Sequence, residues 1–289
     1  MSMGLQKDQV AAFRRDGFLS PLRAISGEEA AAAVGTIENA EARTAHLDRS
    51  ERDHKLFRFK AHLLFTWLDR IAHHPSILDK VENLIGPDIL IWSSSLFIKE
   101  PGDLGYFGWH QDSYTYELEG EALVTAWVAL SPATVASGAM RFLPGSHTNG
   151  ALTHRDTFDA NSMGSRGEEL ANSIDDNGAV DIVLSPGEFS LHHVQMVHES
   201  RPNVSDARRI GYAVRYLSPS TRPLQGSASV SLARGEADPA LWRFEPRPAA
   251  DLDDAALAAY AQAAGERMTE TFKGADDHER AQRVDIRND

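Results

Sequence analysis

The sequence predicts a mainly β protein, a core of short strands inside an α-helical jacket. Two features predict it. Helical periodicity fills the first 86 residues, and after Gly86 it gives way to short apolar runs that each end at turn residues. No internal repeat, linker or low-complexity tract interrupts the 289 residues, a length within reach of one large domain. The expected layout is a helical part over about 1–86, a strand core over about 87–220 and a helical C-terminal extension over about 250–270.

The elements follow in order. "LQKDQVAAFRRDGF" sets Leu5, Val10, Phe13 and Phe18 near helical spacing, with Gly17 as the stop. "SGEEAAAAVGTIENAEA" is alanine-rich, with Ser26 as cap and acids in the first turn. "HPSILDKVENLIGPD" starts a helix at Pro75 and ends it at Gly86. "DILIWSSSLFIKEPG" then reads as a strand closed by a Pro-Gly turn. "GYFGWHQDSYTY", "ALVTAWVALS" and "GAMRFLPGSH" read as further short strands. The polar stretch over about 148–178 lacks periodicity and reads as a lid or long loop. Strand character returns in "AVDIVLSPGEFSLHHVQMVHES" and "RRIGYAVRYLS", and "DLDDAALAAYAQAAGERM" is a late helix.

Composition narrows the chemistry. There is no cysteine, which excludes disulfides, thiolate metal sites and cysteine nucleophiles. The formal net charge of −13 opposes nucleic acid and anionic membranes, so the expected partner is a small molecule. No signal-peptide core or membrane-length apolar run is present, and the expected location is the cytoplasm.

Three His-x-Asp pairs compete for attention: His46/Asp48, His110/Asp112 and His154/Asp156. The first lies in a charged stretch and the last in the polar loop, where solvated side chains suffice. His110 and Asp112 lie in an aromatic-rich segment. If it is a strand, both project to one face, and a buried carboxylate there needs a partner. Two histidines and one carboxylate on one face are the ligand set of non-haem Fe(II) oxygenases. The second histidine must come from another strand, and "SLHHVQMVHES" offers His192, His193 and His198. Read as one strand, it turns His192 and His198 inward together and His193 outward. His198 lies at the strand end, where a metal with open coordination sites belongs.

In "RRIGYAVRYL", alternation puts Arg209, Gly211, Ala213 and Arg215 on one face and Ile210, Tyr212, Val214 and Tyr216 on the other. Two arginines separated by small residues leave a cavity that guanidinium groups enter. A buried arginine needs a carboxylate or phosphate. The dicarboxylate 2-oxoglutarate would supply one, with its keto-acid end on iron and its far carboxylate in the arginine fork.

These pieces resemble the phytanoyl-CoA dioxygenase family of Fe(II)/2-oxoglutarate oxygenases. The resemblance rests on "WHQD" at 109–112, "TAWVALSPAT" at 125–134, "SGAMRFLPGSH" at 137–147 and "VHESRPNVSDARRIGYAVRY" at 197–216, with "DGFL" and "PGE" at 186–188 in support. It implies a double-stranded β-helix, or cupin-like jelly roll, flanked by helices. It implies Fe(II), 2-oxoglutarate and O2, with His110, Asp112 and His198 as metal ligands and catalytic centre. Arg209, eleven residues after His198, matches the cosubstrate arginine and is favoured over Arg208. Trp127 matches the ring beside the cosubstrate. The chain is most similar to a bacterial branch of small-molecule hydroxylases and halogenases. Halogenases of that branch lack the acid, so Asp112 points to hydroxylation. The implied substrate is a small polar metabolite, free or tethered to a carrier protein. The alternatives are desaturation, epoxidation or halogenation at the same centre, or a cupin-type metal protein that needs no arginine behind the metal.

Candidates for substrate contact complete the reading. In "FRFKAHLLF" at 57–65, an extended chain puts Arg58, Lys60 and His62 on one face, either a solvated polar face or a basic ridge for an anionic substrate. Lys99, Arg215 and His192 border the expected cavity. Ser165 and Arg166 lie in the lid and would close on substrate. His147 in "PGSH" reads as a turn residue.

Overall fold

The computed structural model describes residues 4–120, 122–225 and 227–275. Helix α1 (Lys7–Asp16) starts at a reciprocal Gln6–Gln9 capping box and stops at Gly17, whose φ of 82° lets its N–H reach the Phe13 carbonyl. A short strand, β1 (Phe18–Arg23), follows inside the region read as helical. Helix α2 (Gly27–Arg43) is capped by Ser26 and Glu29, which each accept the other's backbone N–H. After α3 (Arg49–Arg52) come a π-helical turn, Asp53–Phe57, and a 3₁₀ turn, Ala61–Leu63. The segment 57–65 is therefore not extended, and Arg58, Lys60 and His62 do not form one ridge. Helices α4 (Thr66–Ala72) and α5 (Pro75–Ile85) complete the jacket, α5 with proline in its first turn.

The strands that follow are β2 (Ile89–Lys99), β3 (Phe107–His110), β4 (Leu118–Glu119), β5 (Leu123–Ala129) and β6 (Met140–Phe142). The expected lid carries β7 (His154–Asp156) and β8 (Glu168–Leu170), which pair as a hairpin. Then come β9 (Val180–Ile182), β10 (Glu188–His193), β11 (His198–Ser200), β12 (Arg209–Leu217) and β13 (Arg222–Pro223). Beyond 220, where no strand is expected, β14 (Ala228–Arg234) and β15 (Trp242–Phe244) extend the sheet before helix α6 (Asp254–Thr271). Among the described residues, no helix is long and apolar enough to cross a membrane.

The architecture is mainly β with a helical flank. A seven-stranded sheet has the order β1-β10-β5-β12-β2-β14-β15, and a four-stranded sheet the order β3-β11-β6-β9. One face of the larger sheet (Ile91, Val128, Leu191, Ile210, Val214) packs on helix residues Ala33, Ile37, Leu68, Ile77 and Val81. Its other face contributes Phe97, Trp127 and Ala213 to a cluster with Met140, Phe142 and Ile182 of the smaller sheet. The two sheets therefore face each other across an apolar layer, and the cavity opens within it. Strand β2 is buried along its whole length because helices cover one face and the second sheet or loops the other.

Candidate metal centre

His110 ends β3, and His198 begins the adjacent β11 directly opposite it in register. Their rings lie 4.2 Å apart between centroids. Each donates its Nδ1–H to the carbonyl two residues earlier, His110 to Gly108 at 2.8 Å and His198 to Met196 at 2.9 Å. That bond selects the tautomer and leaves both Nε2 lone pairs available. Asp112 joins them from the 3₁₀ turn Asp112–Thr115, not from a strand. The chain turns at Gln111, and the carboxylate reaches the larger sheet, where Thr125 Oγ1 donates to it at 2.8 Å. Ligand atoms of His110, Asp112 and His198 lie within 4.8 Å of one another.

The electrostatics suit a cation. Burial opposes ionisation of Asp112, but His192, Arg215 and His198 outweigh it and hold its carboxyl well below the usual range. Burial, then His110 and His192, keep His198 neutral to well below its ordinary value, despite Asp112. Two imidazoles with Nε2 available and one ionised carboxylate on one face are a fitting donor set for Fe(II).

The other pairs are placed differently. His154 repeats the geometry, with Nδ1–H on the Leu152 carbonyl, but its Nε2 accepts the Gln111 N–H at 2.9 Å. His154 therefore fastens the turn that carries Asp112. Asp156 is bound to Arg166. The segment 190–198, read as one strand, is two: β10 ends at His193, the chain turns, and β11 begins in the other sheet. His192 still points inward, its Nε2 3.6 Å from Asp112, with both ring nitrogens lacking a hydrogen bond. His193 lies outside the cluster, beside the His147 ring at 5.2 Å.

Behind the triad is a cavity lined by Trp127, Thr125, Met140, His192, His198, Ser200, Arg209 and Arg215. Arg209 is 1% exposed. Its Nη2 donates to Ser200 Oγ at 3.2 Å, its guanidinium lies 5.3 Å from the Trp127 ring centre, and Nε has no partner. Burial brings its pKa down to about 10, with only Asp103 pulling the other way. An orphaned, buried guanidinium facing a cavity fits the far carboxylate of 2-oxoglutarate. Gly211 is required beside it, since a Cβ there would sit 1.8 Å from the Trp127 ring. Arg208, in contrast, turns outward to Glu41 and Glu100.

A second cavity shares Phe97, Phe107, His110, Asp112 and Arg215 with the first and continues to Arg58, Tyr116, Ser165, Glu168, Arg267 and Thr271. Arg58 lies over Phe97 and Phe107 there. Arg215 donates to Ser95 Oγ at 2.8 Å. Four expected contacts are drawn elsewhere. Lys60, 1% exposed, donates to Glu245 and to the carbonyls of Trp92 and Ser229. His62 is wedged between Ser94 and Ser231 in the same buried network. Lys99 donates to Ser200 and to the Arg201 carbonyl, and burial with the Arg209 charge pushes it down to about 6. Arg166 binds Asp156 and the carbonyls of Thr271 and Lys273, tying the hairpin loop to α6. Each is held by these partners, because a buried polar group needs its own hydrogen bonds. Sequence reasoning missed Thr125, Ser200, Tyr116 and Arg267. A carboxylate two residues from a ligand histidine hints that some hydroxyl holds it, but nothing local to Arg267 marks it.

The Phytanoyl-CoA dioxygenase (PhyH) family profile matches residues 4–211. A probable alpha-ketoglutarate-dependent hypophosphite dioxygenase of Stutzerimonas stutzeri is 28% identical over 166 residues, 57% of this chain and 58% of that protein. An ectoine dioxygenase of Bordetella parapertussis is 29% identical over 154 residues, 50% of each. The chain thus spans little more than half the length of the curated relatives it matches. Among solved structures, a non-heme monooxygenase, ThoJ in its apo form, is 38% identical with a TM-score of 0.82, covering 92% of this chain and 98% of that one. CytC3 with Fe(II) and alpha-ketoglutarate, 20% identical with a TM-score of 0.64 over 87% and 97% of the two chains, shares the fold.

Proposed function

This chain belongs to the phytanoyl-CoA dioxygenase family, and on that premise we propose that it is an Fe(II)- and 2-oxoglutarate-dependent dioxygenase that hydroxylates a small polar metabolite and releases succinate and CO2. We read the two facing sheets as a double-stranded β-helix within a single domain. The observation that carries the reading is a pairing within one cavity. A two-histidine, one-carboxylate cluster lies at one end and an orphaned buried arginine at the other.

His110, Asp112 and His198 would hold the metal. When bound, iron supplies oxygen activation coupled to decarboxylation of 2-oxoglutarate. The chain's own residues do the positioning. Arg209 takes the far carboxylate in its fork, Ser200 orients the guanidinium, and Trp127 walls the cavity. Thr125 holds the Asp112 carboxylate by a hydrogen bond, and the nearby charge of Arg215 favours its ionised form. Phe97 and Phe107 line both cavities and give the centre an apolar wall. Asp112 supports hydroxylation over halogenation, because the carboxylate occupies the position a halide would need.

The test is succinate release on adding Fe(II), 2-oxoglutarate and O2, with a panel of small metabolites scored by substrate-dependent turnover. Failure to form succinate with any of them, together with failure to bind Fe(II), would refute the reading.

A further inference from the structure

The second cavity contains more positive charge than its own carboxylates account for. Arg58, Arg215 and Arg267 line it, and the acids in the lining are Asp112 and Glu168. Asp112 is a member of the triad. Glu168 accepts the Arg166 backbone N–H at 2.8 Å.

Arg267 is the informative residue. It comes from α6, and it is 4% exposed. Its guanidinium lies 5.3 Å from the Trp92 ring centre and 5.0 Å from that of Tyr116. The aromatic faces support the cation without using its N–H groups. Nη1 makes one long bond, 3.4 Å to the Thr115 carbonyl, and Glu270 stands 3.5 Å away without a hydrogen bond. Nε has no partner, and neither does Nε of Arg215. Burial chiefly lowers the pKa of Arg267, and the Arg215 charge adds to this against the pull of Glu270 and Tyr116. A buried cation, Arg267, and a half-buried one, Arg215, each with an unused donor and facing one cavity, leave a site that an anion would complete.

Resting on the oxygenase reading, we propose that the primary substrate carries a small oxyanion, a carboxylate or a phosphonate, bound between Arg267 and Arg215. Arg58, over the Phe97 and Phe107 rings, adds to the positive field at the same wall. Both binding arginines lie beyond residue 211, outside the segment matched by the family. Arg267 lines the second cavity and Arg209 the first, with Arg215 lining both, so substrate anion and cosubstrate carboxylate each have an arginine of their own.

The test is calorimetric titration of the Ni(II)-loaded protein, which does not turn over. It is first saturated with 2-oxoglutarate, so that Arg209 is occupied. Propionate, propylphosphonate and the neutral isostere propionamide are then titrated. Binding of either anion with no binding of propionamide is expected, and the better anion identifies the source. Equal binding of all three, or of none, overturns the proposal. Arg267→Gln is expected to weaken the bound anion at least about tenfold, as for a desolvated charge that loses its partner. An unchanged affinity overturns the assignment. If that variant does not fold, Arg267→Lys keeps the charge without the fork and should weaken binding several-fold, with no change counting against the site. Absence of 2-oxoglutarate binding in the first stage counts against the oxygenase reading alone, and the metal-free protein then tests the anion site by the same titration.

Discussion

Replacing Arg209 with methionine tests the cosubstrate cavity and separates two reasons for burying an arginine. Among the described residues, Arg209 makes no ion pair, and its only protein hydrogen bond is to Ser200 Oγ at 3.2 Å. In the absence of cosubstrate, its burial is therefore a cost that the fold bears. Methionine keeps contact with Trp127 and removes that cost, so the melting temperature without cosubstrate should not fall. Affinity for 2-oxoglutarate should fall sharply. Loss of one charged partner from a buried, hydrogen-bonded pair costs roughly 2–5 kcal/mol. That corresponds to about 30-fold to several-thousand-fold in the dissociation constant. Arg209→Lys should recover only part, since an ammonium cannot form the fork. The assay is 2-oxoglutarate titration of the anaerobic Fe(II) protein, followed by the iron-to-ligand charge-transfer band, alongside thermal melts of the metal-free protein. Unchanged affinity with a lowered melting temperature would make Arg209 a structural residue. A larger affinity loss in Arg215→Met would exchange the two arginines' roles.

Other predictions concern the ligands, the wall and the fold. His110→Ala and His198→Ala should each abolish turnover and cut iron retention, measured by metal analysis after gel filtration, whereas His193→Ala, packed against His147, should keep both. Gly211→Ala should displace the Trp127 ring and weaken 2-oxoglutarate binding or destabilise the protein; a variant with wild-type affinity and melting temperature would show that the ring has room to move. Glu245→Gln should strand buried Lys60 without its counter-charge and lower stability by about 3–5 kcal/mol in urea melts, and an effect under about 1 kcal/mol would count against that account. The same pair predicts acid sensitivity. Burial opposes the Glu245 charge, but Lys60 and His62 bring its pKa from 4.5 to about 2. A carboxyl lowered on folding contributes stability that is present above about pH 4.5 and lost as pH falls toward about 2. The wild type should lose on the order of 3 kcal/mol across that window beyond what Glu245→Gln loses.

Much of this protein can be read from local pattern. Caps at Ser26 and Gly17, the proline start at Pro75 and the long apolar run of β2 each depend on neighbours a few residues away, so the chain specifies them unaided. The alternation that puts Arg209 and Arg215 on the cavity face of β12 is local in the same way, because pleating forces a two-residue period. Where the backbone turns, local pattern misleads. His192 and His198 share a face in an uninterrupted strand, yet they meet only because the chain leaves one sheet after His193 and enters the other. Asp112 reaches the histidines through a 3₁₀ turn held by Gln111 and His154, forty-odd residues apart in sequence. Lys60 looks like a substrate contact until Glu245, 185 residues on, takes its charge. Arg267 carries no local mark at all, since an alanine-rich helix does not reveal which neighbour it meets. Long-range docking decides such cases. A buried charge is defined by the partners that folding brings to it, and those partners lie far away in sequence.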